Sequence, residues 1–169
     1  YWGNESDHKT IFDVKPVDLA KDKSLYAQIV RHYNMNFAER LILLMALVPH
    51  VQPQLLDIFF IKNASYDRGF TEFGGIKGQN HSGFLPTGET IAFILAANNL
   101  ADRFSLLHYF SEDHFFRKYK ILKLAGAPAE ESFLCGVLSL GIGISLQEAA
   151  EVLQHASRAI TSTAVAEVE

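Results

Sequence analysis

Glycine and lysine residues between positions 69 and 78 are the first group whose types and spacing could bind a phosphate, since phosphate-binding loops are rich in both residue types. A P-loop has the order Gly-x4-Gly-Lys-Ser/Thr, in which the lysine reaches the outer phosphates and the hydroxyl reaches the metal. Gly69 and Gly74 have the required separation, but Lys77 comes three residues after Gly74 and is followed by another glycine. The segment therefore predicts no nucleotide site, and turn geometry explains its glycines better.

Histidine, cysteine and serine side chains offer two further kinds of chemistry. His108 and His114 lie six residues apart, whereas helical zinc sites use an i, i+4 pair or a His-Glu-x-x-His arrangement. Cys135 and Ser82 lie in no activating frame such as Gly-x-Ser-x-Gly. We predict no catalytic, cofactor-binding or metal-binding residue in this chain, and hence no enzymatic activity.

Composition indicates one globular unit in a reducing compartment. The chain has 169 residues, is 49% hydrophobic, and carries a net charge of −4 with a pI near 6.0. Such a balance gives no general attraction to nucleic acid or anionic membranes. A lone cysteine cannot form an internal disulfide, and the longest apolar run, Leu41–Val48, is far shorter than the roughly 20 residues of a membrane span. The sequence predicts a cytoplasmic protein.

Three helices in the first third of the chain form a helix-turn-helix pattern. Residues 1–21 are polar and predict an arm with a short extended piece at Thr10–Val14, after which apolar spacing predicts a helix over 23–33. Asn36 and Glu39 predict a capping box for a buried helix that Pro49 ends. Pro53 begins a third helix, which runs through residue 60.

A glycine-rich segment over 62–86 interleaves its glycines with the aromatic residues Phe70, Phe73 and Phe84. This pattern predicts an ordered loop or hairpin that aromatic side chains pin to the core. Its polar tip is the candidate interaction site of the chain and consists of Lys77, Gln79, Asn80 and His81.

Further helices and one β-ribbon complete the predicted fold. A helix is expected from the N-cap Thr87 to about Ala97, followed by short helices at 100–109 and at 112–118 after Ser111. Alternation predicts a strand over Tyr119–Leu124 that pairs with Phe133–Leu140, and a last helix is expected over 146–159. The fold class is thus a mostly helical α+β domain over 22–140, with a helix-turn-helix core and a small β-ribbon, followed by a C-terminal helix in 141–169.

DNA binding is the alternative function, because a helix-turn-helix can enter the major groove. Its recognition helix should present cationic and amide side chains to the bases and phosphates. Here that helix offers Gln54 but no positive charge, and Asp57 would repel the backbone. The basic residues Arg117, Lys118, Lys120 and Lys123 lie elsewhere, so the motif is expected to serve packing.

Several short motifs together resemble one protein family. They are Glu39-Arg40-Leu41, Pro53 to Asp57 with Phe59-Phe60, the glycine stretch Phe73 to Gly78, His81 to Thr90, and Asp113 to Phe116 with Ile121-Leu122. Over roughly residues 25–125 the chain resembles the amino-terminal region of a group of bacterial AAA+ ATPases common in Bacteroidetes.

The resemblance implies a variant winged-helix domain that precedes an ATPase motor. It implies a regulatory or protein–protein docking role, with another protein or the chain's own motor as partner and with oligomerisation through that motor. Some members are encoded beside phage-tail-like contractile injection systems, which implies a link to such a system. It carries over no catalytic residue, because the family's nucleotide site lies in the motor. The segment after residue 141 either packs on the domain or leads toward that motor, and an enzyme of unknown type is the remaining alternative.

Overall fold

The structure, a computed structural model, describes residues 11–78, 82–126 and 133–140. The expected helix over 146–159 and the whole C-terminal segment 141–169 lie outside this part of the chain, as do residues 1–10 of the arm. Helices make up about half of the described residues and the strands form small antiparallel sheets, which confirms an α+β class rich in helix.

The regular elements follow one another with short connections. The α-helices are α1 Leu25–His32, α2 Phe37–Val51, α3 Gly88–Ala96, α4 Leu100–Ser105 and α5 Phe115–Lys118. The 3₁₀ helices are Ile11–Asp13, Pro53–Phe60, Thr71–Phe73, Leu106–Phe110 and Phe133–Cys135. Three antiparallel pairs join β1 Lys62–Asn63 to β2 Arg68–Gly69, β3 Ile76–Lys77 to β4 Phe84–Leu85, and β5 Leu122–Ala125 to β6 Val137–Leu140.

The predicted arm packs against the first two helices. The extended piece expected at Thr10–Val14 is wrong for Ile11–Asp13, which form a 3₁₀ turn. Arg40 donates to the carbonyl of Val17 at 3.1 Å, and the ring of Phe12 lies 5.7 Å from that of Phe37. These contacts attach the arm to α2.

The capping box of α2 is confirmed. The Glu39 N–H donates to the Asn36 side chain at 2.9 Å, and the Asn36 N–H donates to the Glu39 carboxylate at 2.7 Å. Each residue thereby satisfies a donor that the helix itself leaves unpaired.

Pro49 does not end α2, contrary to the prediction. The helix continues to Val51, and Gln52 closes its last turn by donating to the Val48 carbonyl at 2.9 Å. Proline within a helix costs about 3 kcal/mol because it lacks a donor and crowds the preceding turn. Here Leu47, Val48 and Pro49 are all buried, and this burial outweighs the local cost.

The chain turns sharply after α2. The axis of Pro53–Phe60 lies at 103° to that of α2, with Gln52 alone between them. Within the described residues, no single helix is long and apolar enough to cross a membrane, and this bent pair reaches that standard only when both halves are taken together. The expected helix at 53–60 is present, but it is 3₁₀ rather than α.

The predicted β-ribbon is confirmed over part of its length. Strand β5 begins at Leu122 rather than Tyr119, because Tyr119 caps α5 and Lys120 takes a left-handed backbone angle of φ 54°. In register, Leu122 faces Leu140 and Leu124 faces Leu138. The inward leucines of both strands join the buried core around α2 and α3.

The predicted cap of α5 is wrong. The Ser111 hydroxyl donates to the His108 carbonyl at 2.8 Å, which holds the end of the preceding 3₁₀ helix. The N-cap of α5 is instead His114, whose ring accepts from the Phe116 N–H at 3.3 Å. The helix consequently starts three residues later than predicted.

Candidate functional site

The structure describes one of the four residues of the predicted polar tip. Lys77 is exposed on β3, opposite Phe84 in the register with β4. Gln79, Asn80 and His81 lie outside the described residues. The tip as a whole therefore stays a prediction.

Two glycines hold the base of this segment against α3. Gly74 and Gly75 have φ angles of 59° and 72°, in the left-handed region. The Gly75 N–H donates to the Thr87 hydroxyl at 3.0 Å, and a Cβ on Gly75 would lie 2.0 Å from the ring of Phe84. Turn geometry and close packing, with no ligand required, account for both glycines.

Aromatic rings pin the segment to the rest of the fold, as predicted. Phe84 is buried and stacks on Phe59 with ring centroids 5.0 Å apart. Phe73 lies 5.6 Å from Phe59 and 4.9 Å from Phe93 on α3, and Phe70 lies 5.3 Å from Phe73. The described parts of the segment, 62–78 and 82–86, thus pack against the core.

An exposed row of aliphatic side chains lies on the 3₁₀ helix Pro53–Phe60 and on Ile61, the residue that caps its C-terminus. Leu55, Ile58 and Ile61 are 52%, 62% and 54% exposed. They are three residues apart, and a 3₁₀ helix has about three residues per turn, so side chains at i and i+3 line up. These residues form the aliphatic ridge, while Leu56 and Phe59 point inward.

The aliphatic ridge has little charge near it, and that charge is negative. Asp57 is exposed between the ridge residues, and no lysine or arginine occurs from 53 to 61. Cationic side chains lie instead around α5 and β5, where Lys118, Lys120 and Lys123 are exposed.

Of the residues that were considered for chemistry, His108 and His114 lie close together, with ring centroids 6.0 Å apart. His108 and Ser82 are exposed, and Cys135 is a half-buried free thiol. Among the residues that the structure describes, no group of three or more His, Cys, Asp and Glu side chains could hold a metal ion.

His114 forms a largely buried side-chain contact between distant parts of the chain. Its Nε2 lies 3.1 Å from Oε1 of Glu39, and the two side chains are only 10% and 12% exposed. Sequence reasoning expected a partly exposed histidine at a helix end. The 75 residues between the partners leave no signal in spacing, so only the fold could reveal this pair.

The aliphatic ridge was also missed from sequence. The apolar residues Leu55, Leu56, Phe59 and Phe60 have the spacing of a single apolar face in an α-helix, and Ile58 and Ile61 lie outside that pattern. The change to about three residues per turn moves Leu55 to the outside. Pro53 at the helix start is compatible with both helix types, so composition alone could not distinguish them.

No protein-family model, no curated protein and no solved structure matches this chain.

Proposed function

We propose that this chain is a non-catalytic docking domain that binds another protein through its aliphatic ridge, with the AAA+ motor of its own polypeptide as the partner. The observation that carries the proposal is the row of Leu55, Ile58 and Ile61, three aliphatic side chains more than half exposed along a short helix and its C-cap. Aligned apolar side chains on a rigid element are typical of surfaces that become buried on binding.

A winged-helix-like arrangement, which the resemblance implies, is part of this proposal, and two features of the structure support it. The second helix of a helix-turn-helix lies at about 90–120° to the first, and the angle here is 103°. A hairpin, β1–β2, follows that helix directly, in the place of a wing. The helix that would read DNA is therefore the one that exposes the aliphatic ridge.

Replacement of the ridge is expected to weaken docking without unfolding the domain. In the triple variant Leu55→Ser, Ile58→Ser, Ile61→Ser, the free energy of unfolding should change by no more than about 1 kcal/mol, because each side chain is already largely in water. Affinity for the motor, expressed separately, should fall by about tenfold or more, since side chains central to an interface each contribute about 1 kcal/mol or more. Isothermal calorimetry measures this affinity.

A matched control lies on α4. Leu100 and Phe104 are also exposed, so the double variant Leu100→Ser, Phe104→Ser removes comparable apolar surface from another element. It should leave the affinity unchanged within about twofold. Equal weakening by both variants would show that docking is not specific to the ridge. Absence of a motor segment from the gene would refute the proposed partner.

DNA binding is expected to be weak and nonspecific. Any complex in a gel shift at low salt should depend on Lys118, Lys120 and Lys123, because phosphate contacts provide affinity that falls steeply as salt rises. The variant Gln54→Ala should have no effect. Tight, sequence-selective binding that Gln54→Ala abolishes would instead support the alternative function, a DNA-binding winged helix.

A further inference from the structure

His114 lies at the point where the N-termini of α2 and α5 meet. On one side its Nε2 contacts the Glu39 carboxylate at 3.1 Å, and on the other its Nδ1 is 3.3 Å from the Phe116 backbone nitrogen. Glu39 also closes the capping box of α2 through Asn36. One imidazole therefore connects the caps of two helices that are distant in sequence.

The two contacts together define the protonation state of the ring. A carboxylate can only accept a hydrogen bond, so Nε2 must carry the proton that it donates to Glu39. The Phe116 N–H can only donate, so Nδ1 must be bare. The neutral Nε2–H tautomer is the state that satisfies both partners, and a protonated ring offers two donors and no acceptor.

Ionisable groups from each neighbouring element face this ring. Glu39 on α2 favours the charged imidazole, whereas His108 and Tyr109 on the 3₁₀ helix Leu106–Phe110 approach with ring centroids at 6.0 Å and 5.6 Å. On the local chain the charged residues are Glu112, Asp113 and Arg117, of which Glu112 and Arg117 pair at 3.8 Å. Burial lowers the pKa of His114 below its usual 6.5, the Glu39 contact opposes this in part, and charge on His108 adds to the lowering.

The geometry points to an acid-operated latch: neutral His114 clasps the N-terminus of α5 to the cap of α2, and its protonation at Nδ1 releases the α5 N-terminus. The proton comes from solvent, and the Phe116 N–H loses its acceptor. A flip of the imidazole ring does not restore the hydrogen bond from the Phe116 N–H, because both ring nitrogens of the cation carry hydrogen. The hydrogen bond from Nε2–H to Glu39 remains and becomes an ion pair on protonation, so the release is confined to α5.

The direction of the pH dependence follows from linkage. The pKa of His114 is lower in the folded chain than in the unfolded chain, so the unfolded state binds more protons at mildly acidic pH. The clasp is fully stabilising above the unfolded pKa of about 6.5, weakens as the pH falls toward the folded pKa, and changes no further below it. Each unit of separation between the two pKa values corresponds to about a tenfold change in opening.

Amide hydrogen exchange at Phe116 tests the latch directly. After correction for intrinsic rates, the protection of the Phe116 amide should fall several-fold between pH 7.5 and pH 5. The Ile42 amide within α2 exchanges through a larger opening and should lose protection by no more than the same factor. The variant His114→Asn keeps a side-chain acceptor for the cap but cannot be protonated, so its Phe116 protection should not depend on pH. The control His108→Asn should keep the fall in Phe116 protection, displaced toward slightly higher pH because the like charge that lowers the pKa of His114 is gone.

Two results would overturn the latch. One is constant protection of the wild-type Phe116 amide over this pH range, or the same fall in His114→Asn. The other comes from NMR titration of the His114 ring, which requires no variant to fold: the latch requires a pKa below 6.5, and a pKa at or above that value contradicts it. In Glu39→Gln the pKa of His114 should fall further, because the carboxylate that favours the cation is gone.

Discussion

Replacing Gly75 with alanine is expected to lower the free energy of unfolding by about 3 kcal/mol or more. Its φ of 72° lies in the left-handed region, where a Cβ costs about 1–2 kcal/mol. The new methyl would also lie 2.0 Å from the ring of Phe84, which is buried against Phe59 and Phe60 and cannot withdraw freely. Such overpacking costs about 1–3 kcal/mol more. Urea denaturation measures the loss.

Substitutions at two other glycines allow the backbone cost and the clash with Phe84 to be measured separately. Gly126 has a similar φ of 74° and, within the part of the chain that the structure describes, no atom within 4 Å of an added Cβ, so Gly126→Ala should show the backbone cost alone, about 1–2 kcal/mol. Gly69 also has open space and no positive φ, and Gly69→Ala should stay within about 0.5 kcal/mol of wild type. A Gly75→Ala variant as stable as Gly126→Ala would contradict the predicted clash.

Replacing Phe116 with alanine should also strongly destabilise the fold, by about 3–5 kcal/mol, because a fully buried phenylalanine leaves a cavity when it is truncated. Phe116 is 0% exposed, and its ring lies 4.9 Å from that of His114 and 4.6 Å from that of Phe115. Since domains of this size are stable by only about 5–15 kcal/mol, the variant should unfold at a much lower urea concentration.

The matched control is the same substitution on the surface. Phe104 on α4 is 64% exposed, so Phe104→Ala should change the free energy of unfolding by no more than about 0.5 kcal/mol. If Phe116→Ala lost less than about 1 kcal/mol, the ring could not lie in the packed core described above.

Local structure was largely predictable wherever a few neighbouring residues determine it. The capping box of Asn36 and Glu39, the start of α3 after Thr87, and the pairing of β5 with β6 all follow from residue types a few positions apart. Hydrogen bonds within one turn and alternation along a strand are short-range effects, so one sequence suffices to predict them.

Predictions that relied on a single residue to end or cap a helix were less accurate. Pro49 was expected to end α2 and Ser111 to cap α5, and both expectations were wrong. In each case a tertiary contact outweighed the local preference: burial of the last turn of α2, and the contact of His114 with Glu39 across 75 residues.

The sequence by itself determined the composition of the core, the α+β class and the acidic character of the helix at 53–60. Only the tertiary structure decided that this helix is 3₁₀, and therefore that Leu55, Ile58 and Ile61 face water in a row. It alone brought His114 to Glu39. The physical reason is the same for both: helix type and side-chain burial depend on which surfaces pack together, and residues far apart in the chain supply those surfaces.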